Sequence, residues 1–255
     1  VVASFAPLVD AARGVGGERV EVTNLTPAGV EPHDIELNSR QLDRVADADL
    51  VLYLGGGFQP AVEDAARRAG RAVDLRAGLT GAEPDDPHVW LDPALFAQVV
   101  DGIEAALVDV DPPGADGYRM RAADYRRRLE ELDAELRAGL SDCERRTIVT
   151  THEAFGYLAR RYGLEQLSIS GLAPDAEPDP RRLAELADVV RSRGVTTVFT
   201  EALVSPRVAE TLARETGAQT ATLDTIESSE DAAAADYFSL MRANLRTLRT
   251  ALGCR

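Results

Sequence analysis

The chain has 255 residues, 45% hydrophobic and 28% charged, enough to bury a core in one large domain or in two lobes of ordinary size. A net charge of −15, with arginine as the only basic residue besides three histidines, repels phosphate backbones and anionic lipid and argues against nucleic acid or a membrane surface as partner. No apolar run approaches the ~20 residues that cross a bilayer, and the start at Val1 rather than Met is read as the mark of a removed leader and hence of export.

Taken in order, residues 1–6 predict a short buried strand, 7–14 a helix closing on a glycine turn, and 19–25 an alternating strand. A loop with two prolines and a glycine follows and carries His33. Residues 39–48 predict a helix, with Leu42, Val45 and Ala46 at helical spacing. Then come an apolar strand over 50–54, a helix over 60–70 and a strand over 72–75. This alternation is that of a parallel sheet with helices on its faces.

An acidic loop over 78–86 leads into Asp86-Pro87-His88-Val89-Trp90-Leu91-Asp92-Pro93, which packs a histidine and the only tryptophan between two Asp-Pro steps. Proline fixes its own φ and pushes the preceding residue out of helical space, so His88 is held on a short stiff segment. Residues 94–108 predict an amphipathic helix. From 114 to 140, Tyr118, Ala122, Tyr125, Leu129, Leu132, Leu136 and Leu140 recur at steps of four and three, giving one apolar stripe on a helix ~40 Å long. The stretch is short for a coiled-coil seam and few of its outer positions carry paired charges, which favours packing within one chain and a monomer.

The second half repeats the rhythm. Strands are predicted over 147–151, 167–170, 196–200 and 219–223, helices over 154–162, 180–193, 206–216 and 231–252. The expected fold is α/β: two lobes, each a parallel sheet flanked by helices, joined by one long rigid backbone helix. Its parts are an N-terminal lobe over 1–113, the linking helix over 114–140 and a C-terminal lobe over 141–255.

His152 stands directly after a predicted strand, at the edge of an open α/β sheet where ligands bind. His33 and Asp224 also follow strands. Three imidazoles and a carboxylate converging from both lobes on an interdomain cleft form a tetrahedral N3O set suited to Zn2+, whereas manganese or calcium recruits more oxygens. Local alternatives stand beside this. His33 can be a surface loop residue, Asp224 a turn cap, and Glu153 a partner of a helix dipole. Glu201 ends a strand and is a candidate acceptor for an imidazole N–H, while Glu177 belongs to a loop or helix entry. A zinc hydrolase using Glu153 or Glu201 as base is the competing reading, but Gly156 breaks the His-Glu-x-x-His pattern. In an exported protein Cys143 and Cys254 would form a disulfide, and in a cytosolic one two separate thiols.

The motifs Pro27-Ala28-Gly29-Val30-Glu31-Pro32-His33-Asp34, Asp86 through Pro93, Val149-Thr150-Thr151-His152-Glu153-Ala154-Phe155-Gly156-Tyr157, Ala176-Glu177-Pro178-Asp179-Pro180 and Thr222-Leu223-Asp224 together resemble the zinc-type metal-binding solute-binding proteins of bacterial ABC importers, the helical-backbone metal receptors. The resemblance spans essentially the whole chain. It implies a non-enzymatic receptor in the periplasm or another extracytoplasmic space. Such a receptor captures Zn2+ as transported ligand and delivers it to the permease of an ABC importer, with a periplasmic zinc metallochaperone as a further partner. It implies metal ligation by His33, His88 and His152, and by Asp224 where water does not take the fourth position. Manganese-type members usually carry Glu where His152 stands, which makes a manganese receptor the alternative within the family. One departure is that residues 79–87 are short, acidic and without histidine, where many zinc members carry a long histidine-rich loop.

Overall fold

The computed structural model describes residues 1–174, 179–228 and 236–255. The chain forms two compact units, Val1–Glu131 with Ile226–Phe238, and Leu132–Thr225 with Ser239–Arg255.

In the first unit four strands, β1 (Val2–Ala3), β2 (Thr23–Asn24), β3 (Val51–Tyr53) and β4 (Ala72–Asp74), pair in parallel in the order β2-β1-β3-β4. Helices α1 (Ala6–Gly16), α2 (Ser39–Ala46), α3 (Pro60–Ala66) and α4 (Pro93–Val110) connect or follow them. The first two strands are shorter than expected. Pro7 sits in the first turn of α1 and starts that helix early, and Gly17–Arg19 forms a 3-10 turn that leaves only Thr23 and Asn24 to pair. Leu42, expected to face the core, is 42% exposed. A capping box between Asn38 and Gln41 sets the rotation of α2 and turns Gln41 and Val45 inward, where the Gln41 amide donates to the Leu25 carbonyl at 2.9 Å. The core gathers Val2, Leu25, Ile35, Val45, Val51 and Val62.

The second unit repeats the plan, with β5 (Thr147–Thr150), β6 (Glu165–Ser168), β7 (Thr197–Thr200) and β8 (Gln219–Thr222) parallel in the order β6-β5-β7-β8. Its helices are α6 (Gly156–Tyr162), α7 (Pro180–Ser192) and α8 (Arg207–Thr216), around a core of Val149, Leu186, Val190, Val198 and Leu212. In each sheet the strand that comes first in sequence lies between the second and the third, so the loops leaving its carboxyl edge diverge and open a place for a ligand.

Helix α5 (Ala115–Gly139) has 25 residues, and the unit boundary, between Glu131 and Leu132, falls within it. Every member of the stripe from Tyr118 to Leu140 is buried, as the spacing predicted. The last helix, α9, runs Tyr237–Leu252; the expected start at 231 and the expectation for Glu177 lie outside the described residues. Among the described residues no helix is long and apolar enough to cross a membrane.

Cys143 and Cys254 form a disulfide within the second unit, 111 residues apart in sequence. Closing so long a loop removes entropy from the unfolded chain, a stabilisation of about 4–5 kcal/mol in the chain-entropy model and about 2–5 kcal/mol when native bridges are removed from small domains. Cys143→Ser, or reduction of the native protein, is therefore expected to lower the urea midpoint clearly. Identical unfolding curves with and without reductant would show that the bridge contributes nothing.

Candidate metal centre

In the first unit the site begins with two short turns. Pro32 opens the 3-10 turn Pro32–Asp34, and the Glu31 carboxylate accepts the backbone N–H of His33 at 3.3 Å. Beneath it the fully buried Gln59 amide donates to the Pro32 carbonyl at 3.3 Å and to the Thr26 hydroxyl at 3.1 Å; that hydroxyl donates to the Ser4 carbonyl at 2.7 Å. The His33 turn is thus tied to the carboxyl ends of β1 and β2.

His88 precedes the 3-10 turn Val89–Leu91. One carboxylate oxygen of Asp86 accepts both its backbone N–H, at 3.0 Å, and its ring Nδ1–H, at 2.8 Å. Two bonds to one oxygen fix the ring's rotation and tautomer and leave Nε2 as the presented nitrogen. That nitrogen lies 3.3 Å from the Glu227 carboxylate, and His33 Nε2 lies 3.5 Å from the same oxygen. Ligand atoms placed tetrahedrally around Zn2+ at ~2.0–2.1 Å stand roughly 3.3 Å apart. The two distances to the Glu227 oxygen match that spacing, and all three ligand atoms lie within 4.8 Å of one another.

The surroundings are apolar. Phe58 meets His33 edge-on at 4.8 Å, Trp90 lies 5.2 Å from the His88 ring, and Phe5 packs on both Phe58 and Trp90. Such walls lower the local dielectric and restrict the imidazoles. Burial of His88 opposes its protonation, but the hydrogen bonds to Asp86 and Glu227 outweigh it and lift the ring's pKa to about 9.

Glu227 arrives on the segment Ile226–Phe238, which belongs to the first unit. Ile226 is buried and has a φ of 63°, a left-handed backbone that a β-branched residue adopts only under strain. Ser228 and Tyr237 are each held: the Ser228 hydroxyl accepts the Gly29 N–H at 2.9 Å, and the Tyr237 hydroxyl donates to the Trp90 carbonyl at 2.6 Å.

In the second unit His152 leaves the carboxyl end of β5 and is fully buried. Its ring Nδ1 meets the Glu201 carboxylate, which also accepts the Thr151 hydroxyl and, at 3.0 Å, the His152 backbone N–H. The His152 carbonyl accepts the Gln166 amide at 3.0 Å and the Thr150 hydroxyl at 2.6 Å. Glu201 therefore does for His152 what Asp86 does for His88, as its position at a strand end foretold. Glu153, expected in the first turn of a helix, precedes it, because α6 begins only at Gly156; its N–H donates to the Gly171 carbonyl at 2.9 Å.

Of the residues singled out in the sequence, the structure brings His33 and His88 together and holds His152 at its own sheet edge. Asp224 follows β8, its backbone N–H and carbonyl both engaged by the Asn244 side chain at 2.8 and 2.7 Å. The carboxylate beside His33 and His88 is that of Glu227, three residues further on. Sequence reasoning missed it, as it missed the Asp86 bond to His88. Asp86 was legible two residues before a stiff histidine; nothing in Thr225-Ile226-Glu227-Ser228 marked a left-handed turn.

A family model described as the periplasmic component A of a zinc-uptake complex, ZnuA, matches residues 1–251. The zinc-binding protein AdcA of Streptococcus pyogenes is 35% identical over 98% of this chain, and the high-affinity zinc uptake system protein ZnuA of Bacillus subtilis is 33% identical over 99% of this chain and 87% of its own length. The chain spans about half, 55%, of the length of AdcA. Among solved structures, the Zn(II)-bound ZnuA-like domain of Streptococcus pneumoniae AdcA has a TM-score of 0.85 at 32% identity, covering 98% of this chain and 97% of that one.

The lifted pKa of His88 carries a stability signature. A group whose folded pKa exceeds its unfolded value stabilises fully below the unfolded value, here about 6.5, and loses that contribution as pH rises through about 9. Metal-free protein in chelator is expected to lose stability between those limits, on the order of 3 kcal/mol at most. Urea midpoints at both ends of the window, compared with those of Glu227→Gln, check this; wild-type stability rising across it would contradict the assignment.

Proposed function

We propose, because this chain belongs to the ZnuA family of periplasmic zinc-uptake components, that it captures Zn2+ outside the cytoplasm and hands it to the permease of an ABC importer. The observation that carries this reading is the spacing of His33 and His88 against one Glu227 oxygen, 3.5 and 3.3 Å, the edge length of a tetrahedral zinc site.

We assign His33, His88 and Glu227 as ligands from the first unit and His152 as the fourth. The support for His152 is chemical: its Nδ1 is engaged by Glu201 as that of His88 is by Asp86, so both rings keep Nε2 for a metal. Three imidazoles and one carboxylate favour zinc over manganese, which prefers oxygen. Asp224, two residues before Ile226, is the alternative source of the carboxylate. Zinc here is cargo. A hydrolase would need a base free to act on water, and Glu201 is committed to His152 while Glu153 is exposed. The protein acts as a receptor, as a monomer, in the periplasm or its equivalent, with the permease as principal partner and a zinc metallochaperone as a second. Residues 79–87 hold no histidine, so an accessory metal-gathering role for that loop forms no part of this reading.

Purified protein freed of metal is expected to bind close to one Zn2+, and to prefer it to Mn2+ in direct competition. His88→Ala and His152→Ala should each weaken binding by several orders of magnitude; unchanged affinity in both would remove the model. Glu227→Gln should cost more affinity than Asp224→Asn, and the reverse order would transfer the carboxylate role to Asp224. Zinc should also raise the melting temperature, since a ligand at about a hundred times its Kd adds roughly 2.7 kcal/mol to the folded state.

A further inference from the structure

Arg76 follows β4, on the strand-end side of the loop that leads to His88, and none of the motifs above includes it. Its guanidinium reaches four backbone carbonyls. Nη1 donates to Gly55, just after β3, at 3.2 Å, and the two N–H groups of Nη2 are shared among Glu83 at 2.6 Å, Pro84 at 2.5 Å and Asp86 at 3.1 Å. The strand end and the last residues before His88 are thereby joined through one planar cation, a task that needs several donors in a fixed fork.

The sequence around Arg76 is shaped to receive it. A Cβ on Gly56 would collide with Nη1, and one on Gly55 with the Asp74 carboxylate, so the Gly55-Gly56 pair makes the space. Gly56 also has a φ of 85°, which glycine adopts without strain. Asp74 in turn accepts the N–H groups of Gly55 at 2.8 Å, Arg76 at 2.9 Å and Ala77 at 3.3 Å, so the base of the side chain is held as firmly as its tip.

We infer that Arg76 is a positioning residue for metal capture: by gripping the carbonyls of Glu83, Pro84 and Asp86 it locks the short acidic loop and so sets Asp86, whose carboxylate orients the His88 ring. The inference rests on the zinc reading above and adds to it the side chain that holds this loop in place. Arg76 reaches the carbonyl of Asp86, two residues before His88. Its contribution passes through the Asp86 backbone, and it lowers the entropy lost when the His88 ring is fixed by metal.

The test measures zinc affinity by competition with a chromophoric chelator and zinc release by stopped flow, for the wild type, Arg76→Met and Arg76→Lys, each also in an Asp86→Ala background. Both single variants are expected to weaken zinc binding about tenfold, the low end of the range for groups that orient metal ligands, with most of the change in the release rate. The melting temperature of the metal-free variants should stay close to that of wild type, and protease cleavage within residues 77–87 should quicken. In the Asp86→Ala background the Arg76 substitutions should change affinity by no more than about twofold. If Arg76→Met does not fold, Arg76→Lys carries the comparison, since it keeps the charge and loses the fork. Affinity within about twofold of wild type in a folded Arg76 variant, or an undiminished loss in the Asp86→Ala background, would overturn the inference. A wild type that binds no zinc would instead overturn the zinc reading, and the protease comparison would still report whether Arg76 locks the loop.

Discussion

Two hydrogen bonds to a single oxygen of Asp86, one from the His88 backbone and one from its ring, are the constraint on which the centre in the first unit depends. A free imidazole can offer either nitrogen in many orientations, and binding metal with it means giving that freedom up. Here the carboxylate has already chosen Nε2 and aimed it at Glu227. Asp86 holds its place because Pro87 restricts its backbone, its carbonyl is gripped by Arg76, and Asp92 caps α4 just beyond the histidine. The second unit arrives at the same answer with Glu201 and His152, using a strand end in place of a proline-stiffened turn.

Orienting carboxylates also set the charge of the centre. Burial opposes protonation of the His88 ring, and the hydrogen bonds to Asp86 and Glu227 outweigh it and raise its pKa. Aromatic walls from Phe5, Phe58 and Trp90 keep water from screening these interactions.

The acidic surface has a different role. A net charge of −15 attracts divalent cations at long range and repels anionic partners, but it neither selects zinc nor defines the site. On the proposed ligand set, selection comes from three imidazoles and one carboxylate. Among the described residues, Asp86, Glu201 and Glu227 are acidic side chains buried beside histidines.

The sequence by itself determined the alternation of strands and helices, the long helix with its buried stripe, and the three histidines as candidate ligands, because each rests on short-range signals: hydrophobic period, proline stiffening, and placement after a strand. It determined the zinc family for the same reason, through motifs contiguous in the chain. Where it went astray, the deciding contacts were distant. Leu42 faces solvent because the Asn38–Gln41 capping box rotates α2 and a bond from Gln41 reaches Leu25. Only the tertiary structure put Glu227 beside His33 and His88, since this needs the chain to return to the first unit after β8, and Ile226 to take a left-handed conformation that its own side chain disfavours. Packing around the segment outweighs that local cost, and a preference overruled by packing leaves no trace in the residue that bears it.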